Sequence, residues 1–235
     1  MTDVQRIIAQ NIGRIRERIA EAANRAGRSA AKIRMVAVTK YASVDATRQL
    51  ALSGLKELGE SRPQQLWEKA TTLSDEDIHW HLVGHLQRNK VPRTIPLVHL
   101  IHSIDSLTLM EHLSREGSKQ NTTVAGLLEV NISGDKEKHG FHPKELASVI
   151  EAAANFSHLE IHGLMAMAHR EGGTEVARKD FAAVRELRDR LANNLPDGVS
   201  LSELSLGMSG DFEEAILEGA TILRVGRALF DGVEY

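Results

Sequence analysis

The chain opens with apolar residues at three- and four-residue steps: Val4, Ile8, Ile12, Ile15, Ile19 and Ala22, with Arg and Glu between them. That spacing is the stripe of an amphipathic helix. Gly27 is placed to end it, because glycine accepts the left-handed conformation that closes helices. Beyond it, short apolar runs alternate with helical stretches, and each run closes in a polar or glycine-containing turn. The runs predict strands over 34–39, 56–59, 79–84, 100–104, 124–131, 160–167, 203–207 and 222–226. Helical patterns fall between them at 44–53, 62–73, 86–91, 106–118, 143–155, 174–194 and 211–219. The strands are apolar on both faces, as a parallel sheet covered by helices requires. Eight strand–helix units in 235 residues, against ~250 for the typical case, predict one domain over 1–235: a closed (β/α)8 TIM barrel with an extra N-terminal helix. A doubly wound open sheet is the alternative, and eight strands without a Gly-rich nucleotide loop suit it less well. The longest turn-like stretch is 133–143, which reads most simply as a solvated loop and otherwise as a flexible loop at the barrel mouth.

Composition narrows the function. Lys plus Arg number 29 against 32 Asp plus Glu, a net charge of −3, and aromatic residues make up 4%. Neither a basic footprint nor stacking platforms for nucleic acid are present. No window reaches the roughly 18 apolar residues of a membrane helix, and mean hydropathy is −0.25. The chain has no cysteine, which removes disulfides, thiolate catalysis and Cys-ligated metals and fits a reducing cytoplasm. Charged residues at Asp3, Arg6, Arg14, Arg16, Glu17 and Arg18 interrupt any secretory signal, so a cytoplasmic location is expected.

A barrel of this kind carries its site at the carboxyl ends of the strands, often with a phosphate pocket after the seventh and eighth. After the seventh comes Gly207-Met208-Ser209-Gly210-Asp211, running straight into a helical pattern. Glycines allow close backbone approach, and a helix start offers free amides to an anion. Ser209 or Asp211 would equally serve as a helix cap. After the eighth comes Arg224-Val225-Gly226-Arg227. Strand parity sets Arg224 on the face opposite Leu223 and Val225, pointing into the barrel, where a guanidinium marks either a structural ion pair or a ligand contact. Lys40 ends the first strand. At a barrel rim, a lysine can form a Schiff base with an aldehyde. A lysine, a phosphate cup and an arginine aimed at one cavity suggest pyridoxal phosphate (PLP). His79 and His81 share a strand face with His85 beyond, but no nearby carboxylate completes a metal-ligand spacing, and a packing role is the expectation. His139 and His142 read as solvated. A barrel hydrolase using these histidines with a metal or phosphate is a third possibility.

The motifs VAVTKY (36–41), LGE (58–60), HWHLVGHLQRNK (79–90), IHSIDS (101–106), EVNISG (129–134), KHGF (138–141), GLMAM (163–167), LSLGMSGDFEEAI (204–216) and RVGRALF (224–230) together resemble the pyridoxal phosphate homeostasis protein family, whose barrel is related to the N-terminal domain of alanine racemase. The resemblance runs from about 35 to 230. It implies that Lys40 holds PLP as an internal aldimine, that Ser209 contacts the phosphate, and that Gly226 with Arg227 completes the cup. It further implies that Arg224 approaches the pyridine nitrogen and that His85 and Met167 lie near the cofactor. It also implies a monomer or weak dimer, with PLP-dependent apoenzymes as partners.

One motif departs from the family. Gly59-Glu60-Ser61-Arg62 stands where the family reads Gly-Glu-Asn-Tyr, so Ser61 implies a looser fit around the cofactor ring. Two functions compete: a carrier that buffers or delivers PLP, and a PLP-dependent racemase. Racemisation needs a base on one ring face and an acid on the other. The related racemases are taken to draw the second group, a tyrosine, from an additional β domain of a partner subunit. This chain ends at Tyr235, and its other tyrosine, Tyr41, adjoins the lysine. A guanidinium beside the pyridine nitrogen also discourages ring protonation and weakens the electron sink. The carrier is the expectation.

Overall fold

In the computed structural model, which describes residues 3–134, 139–169, 171–193 and 195–233, the N-terminal apolar stripe forms helix α1 (Asp3–Arg25). Ile8, Ile12, Ile15, Ile19 and Ala22 are all buried. Gly27 closes the helix at φ +64°, and the Arg28 amide donates back to the Ala23 carbonyl at 2.9 Å. One polar residue shares the buried face. Asn11 donates through Nδ2 to the carbonyls of Leu229 (3.1 Å) and Asp231 (2.8 Å), which ties α1 to the last turns of the chain.

Eight strands follow: β1 (Arg34–Val38), β2 (Glu57–Glu60), β3 (His79–Leu82), β4 (Leu100–Ile104), β5 (Val124–Val130), β6 (Leu159–Ala166), β7 (Val199–Ser205) and β8 (Ile222–Val225). All pair in parallel and in chain order, and β8 closes back on β1 with Arg34 opposite Ile222. The architecture is therefore the (β/α)8 barrel, not the open sheet. The intervening helices are α2 (Val44–Leu52), α3 (Pro63–Thr72), α4 (Val91–Thr94), α5 (Leu107–Lys119), α6 (Leu146–Ala153), α7 (Gly173–Leu191) and α8 (Phe212–Leu217). Among the described residues, no helix is long and apolar enough to cross a membrane.

Strand alternation sorts the apolar residues into two cores. Outward positions such as Ala37, Leu58, Ile101, Leu128, Leu164 and Leu223 pack against the helices in the main cluster. Val36, Leu100, Leu127, Met165 and Ile222 form a separate small cluster on the opposite strand face, filling the barrel as side-chain layers do. Above and around that plug the inward positions turn polar.

Two predicted elements shift. The helical pattern at 86–91 is replaced by a 3-10 turn (Arg88–Lys90), α4 and a second 3-10 turn (Ile95–Leu97). Pro92 and Pro96 lack the amide that would continue a helix, so each sits at the start of a new turn. Strand β7 begins at Val199 instead of 203, because the polar alternation Ser200 and Ser202 belongs to a half-exposed strand foot. It ends at Ser205, since Gly207 already turns at φ +81°. Residue 194, the predicted end of α7, lies outside the described residues.

Strands β6 and β7 come so close at Gly163 that a Cβ there would lie 1.9 Å from the Glu203 carbonyl oxygen. Gly163→Ala is therefore expected to cost about 3 kcal/mol or more, through strand displacement. Gly13, in α1, is open: a Cβ added there would have nothing within 4 Å. Gly13→Ala should instead stabilise by about 0.5–1 kcal/mol. Denaturant midpoints of the two variants check both signs.

Candidate functional site

Lys40 leaves the carboxyl end of β1 into solvent, with Nζ 4.9 Å from the ring centre of the exposed Tyr41. Its backbone is anchored from below. Glu60, at the end of β2, is fully buried and ion-paired with Lys69 of α3. Thr39 Oγ1 donates to Glu60 at 2.8 Å, and Lys69 Nζ donates to the Thr39 carbonyl at 2.7 Å. The Ser61 amide donates to the other Glu60 oxygen at 3.1 Å. One carboxylate thus fixes the residue before Lys40 and the first residue after β2. Removing one partner of such a buried pair strands a charge and costs about 3–5 kcal/mol. Neither residue stands out as a site residue in the sequence. The available signal is a lysine at the buried-face spacing Leu66, Lys69, Ala70.

The turn after β7 needs glycine at 207. Its φ is +81°, and a Cβ would lie 2.6 Å from Ala215 Cβ. That turn delivers Ser209 to the end of β8, where its Oγ accepts from the amides of Gly226 (3.3 Å) and Ala228 (3.4 Å). Two backbone amides thus point at one oxygen, the geometry in which amides can also receive an anion. Asp211 takes the helix-cap position of α8 without capping it. Its carboxylate accepts from the Met208 amide at 2.6 Å, and burial pushes its pKa up. Arg227 is exposed. With Arg14 and Arg18 it lines a cavity of about 430 Å³ that reaches Ser209 and Gly210.

Arg224 points into the barrel, as parity required, and is 5% exposed. Its Nη1 donates to the Ser205 carbonyl and to Ser205 Oγ, both at 2.6 Å, and Nη2 donates to the Ala166 carbonyl at 2.9 Å. No carboxylate among the described residues bonds it directly. Burial lowers its pKa to about 10 against the opposing pull of Asp211 and Glu129, which leaves it charged at neutral pH. Three of its five N–H groups are used, and the remaining two have no protein partner among the described residues.

His85, also exposed, bonds Asp105 Oδ2 through Nδ1 at 2.8 Å. His139 is exposed, as its loop suggested, and it also meets His85. Its ring stacks on His85 at 4.2 Å and 13°, with Nδ1 3.5 Å from the same Asp105 oxygen. Near-parallel rings send their in-plane lone pairs side by side, whereas metal ligands converge on one point at about 2.0–2.1 Å. The trio therefore reads as two imidazoles sharing one carboxylate. Residues 135–138 of that loop, including Lys138 of the KHGF motif, lie outside the described residues. Gly84 packs against Ser61 so closely that a Cβ would meet the Ser61 carbonyl oxygen at 2.3 Å. The backbone at the departing motif is therefore held tightly, while Arg62 is exposed. Met167 follows β6 and is 37% exposed. His79 and His81 do share a face, and both bond Glu57, at 2.9 and 2.6 Å.

Glu129, unremarked in the sequence, lies 5% exposed on β5. Burial, with Asp105 nearby, raises its pKa to about 7. A raised carboxyl pKa means that the folded state binds a proton the unfolded state has released. Stability from this group is then full below about pH 4.5 and falls as pH climbs to about 7. Glu129→Gln should flatten that fall, worth up to about 3 kcal/mol. Unfolding of the ligand-free protein, measured across the interval for both forms, reads it directly.

The sequence profile of the alanine racemase N-terminal domain matches residues 10–233. The pyridoxal phosphate homeostasis protein of Aquifex aeolicus is 37% identical over 226 residues, covering 96% of this chain and 98% of its own. An unknown protein from Bifidobacterium adolescentis superposes with a TM-score of 0.92 at 36% identity, over 98% of this chain and 97% of that one. PipY of Synechococcus elongatus PCC7942, solved with PLP bound, superposes with a TM-score of 0.83 at 29% identity, over 95% and 99%. A barrel with this connectivity, matched over nearly its whole length by these relatives, belongs to the pyridoxal phosphate homeostasis protein family.

Proposed function

We propose that this protein binds pyridoxal 5'-phosphate at the carboxyl end of its barrel, holds it as a Schiff base on Lys40, and buffers or delivers it without substantial turnover. The observation that carries the reading is the convergence of three unlike groups on adjacent strand ends. Strand β8 pairs with both β1 and β7, and Gly226 lies so close to β1 that a Cβ would meet the Val38 carbonyl at 3.1 Å. Lys40, the Ser209–Gly226–Ala228 group and Arg224 therefore belong to three neighbouring strands at the carboxyl end of the barrel. An amine for an aldehyde, paired amides for a phosphate and a guanidinium for a ring nitrogen are the donor set that PLP requires. Arg227, Ser61, His85 and Met167 border the same end. The binding that PipY shows with PLP, and the homeostasis role for which the Aquifex relative is named, support the assignment.

When bound, PLP supplies an electron sink. The protein's part is to bind and orient it. Arg224 has donors only, so it favours an unprotonated ring nitrogen and weakens that sink. Two-face proton transfer also lacks a second tyrosine among the described residues, since Tyr41 sits on the Lys40 side. A cytoplasmic carrier supplying PLP-dependent apoenzymes is the function that follows.

Lys40→Ala should fold normally and lose the Schiff-base absorbance, while the paired amides still take inorganic phosphate. A variant that keeps the absorbance would assign attachment elsewhere. Arg224→Ala should raise the PLP dissociation constant about tenfold or more, as loss of a charged hydrogen bond implies. Unchanged retention would make Arg224 structural only. Titration of PLP followed by absorbance reads both.

A further inference from the structure

Five polar side chains from five different strands meet inside the barrel. Arg224 Nη1 bonds Ser205 Oγ at 2.6 Å, Ser205 Oγ bonds His102 Nδ1 at 2.8 Å, His102 Nε2 bonds His81 Nδ1 at 2.9 Å, and His81 Nε2 bonds Glu57 Oε2 at 2.6 Å. His81, His102 and Ser205 are fully buried. Glu57 opens β2 at the amino-terminal mouth and is partly exposed, so the chain spans the barrel from one end to the other. Gly59 adds no inward side chain to crowd the space.

The two ends of the chain are fixed, because a guanidinium only donates and a carboxylate only accepts. Two patterns satisfy them: both rings neutral, or His81 doubly protonated and donating both ways while Ser205 accepts twice. Burial selects the first, since it lowers the pKa of both rings, that of His102 furthest, while the His81 bond holds Glu57 ionised down to about pH 2. Arg34, facing both rings, and Arg224, facing His102, add to the lowering, while Glu57 opposes it for His81. Ser205 then accepts from Arg224 and passes its own hydrogen to His102 Nδ1, His102 gives its Nε2 proton to His81 Nδ1, and His81 gives its Nε2 proton to Glu57.

We propose that Ser205, His102 and His81 are positioning residues for the cofactor site. This one-way chain, anchored on Glu57, sets the tilt of the Arg224 guanidinium and keeps its two unused N–H groups aimed at the ligand. The inference rests on the PLP reading for its ligand, but not for its geometry.

The test has two arms. In the PLP-free protein, 15N NMR of labelled histidines should show both rings neutral with the proton on Nε2. A charged ring, or the Nδ1–H form of either, would overturn the chain whatever the protein binds. In the second arm, Ser205→Ala should weaken PLP binding about tenfold and shift the absorption maximum of bound PLP. The same change made in Arg224→Ala should do neither, because the effect passes through Arg224. His102→Gln, whose amide can accept from Ser205 and donate to His81, should stay near wild type where His102→Leu does not. An equal loss from Ser205→Ala in both backgrounds, or an unmoved spectrum, would make the network merely structural. Failure of the wild type to bind PLP would sink the functional reading alone and leave the NMR arm standing.

Discussion

A guanidinium inside a closed barrel must find acceptors, because an uncompensated buried charge costs several kcal/mol. Arg224 meets this with the Ser205 and Ala166 carbonyls and one hydroxyl, not with a carboxylate. Those carbonyls belong to the ends of β7 and β6, so the arginine draws those two strand ends together. The same choice leaves its positive charge unneutralised by direct contact. On the proposed reading, its two remaining N–H groups are the ones a ring nitrogen would use.

Around that charge the protein divides its interior by chemistry. Val36, Leu100, Leu127, Met165 and Ile222 seal one layer of the barrel with aliphatic side chains. The remaining inward positions hold a directional chain of hydrogen bonds and two carboxylates of opposite behaviour. Glu57, bonded by two histidines, is held low, and Glu129, buried without such partners, is pushed up. On the outer side, the Glu60–Lys69 pair performs a separate task, tying Thr39 and Ser61 to one anchor so that Lys40 emerges from a fixed backbone. The Lys40 side chain itself is exposed, as the proposed attachment of an aldehyde requires.

Much of this was legible in the sequence because a helix-covered parallel sheet writes its strands as doubly apolar runs. Lys40, Ser209 and Arg224 stood out because each ends or follows such a run, and the structure sets all three at the carboxyl ends of strands. Strand β7 and helix α4 were misplaced where local signals conflict. A half-exposed foot hid the start of β7, and Pro92 and Pro96 start new turns just beyond the predicted helical pattern. The Glu60–Lys69 pair and the Ser205–His102–His81 chain were not legible, since each depends on register between distant segments. Parity alone puts His102 on the inward face with Leu100, but only closure of the barrel brings it to Ser205, 103 positions later. The stacking of His139 on His85 was not legible for a related reason: a polar loop does not show which ring it will meet.

The central claim is that Lys40 carries the cofactor on a site built by β7, β8 and β1. Borohydride reduction of the PLP-treated protein, followed by peptide mass mapping, tests it most directly. A phosphopyridoxyl group is expected on the peptide containing Lys40 and on no other lysine at stoichiometric loading. Reduction that leaves the Lys40 peptide unmodified, even with excess PLP, would contradict the claim.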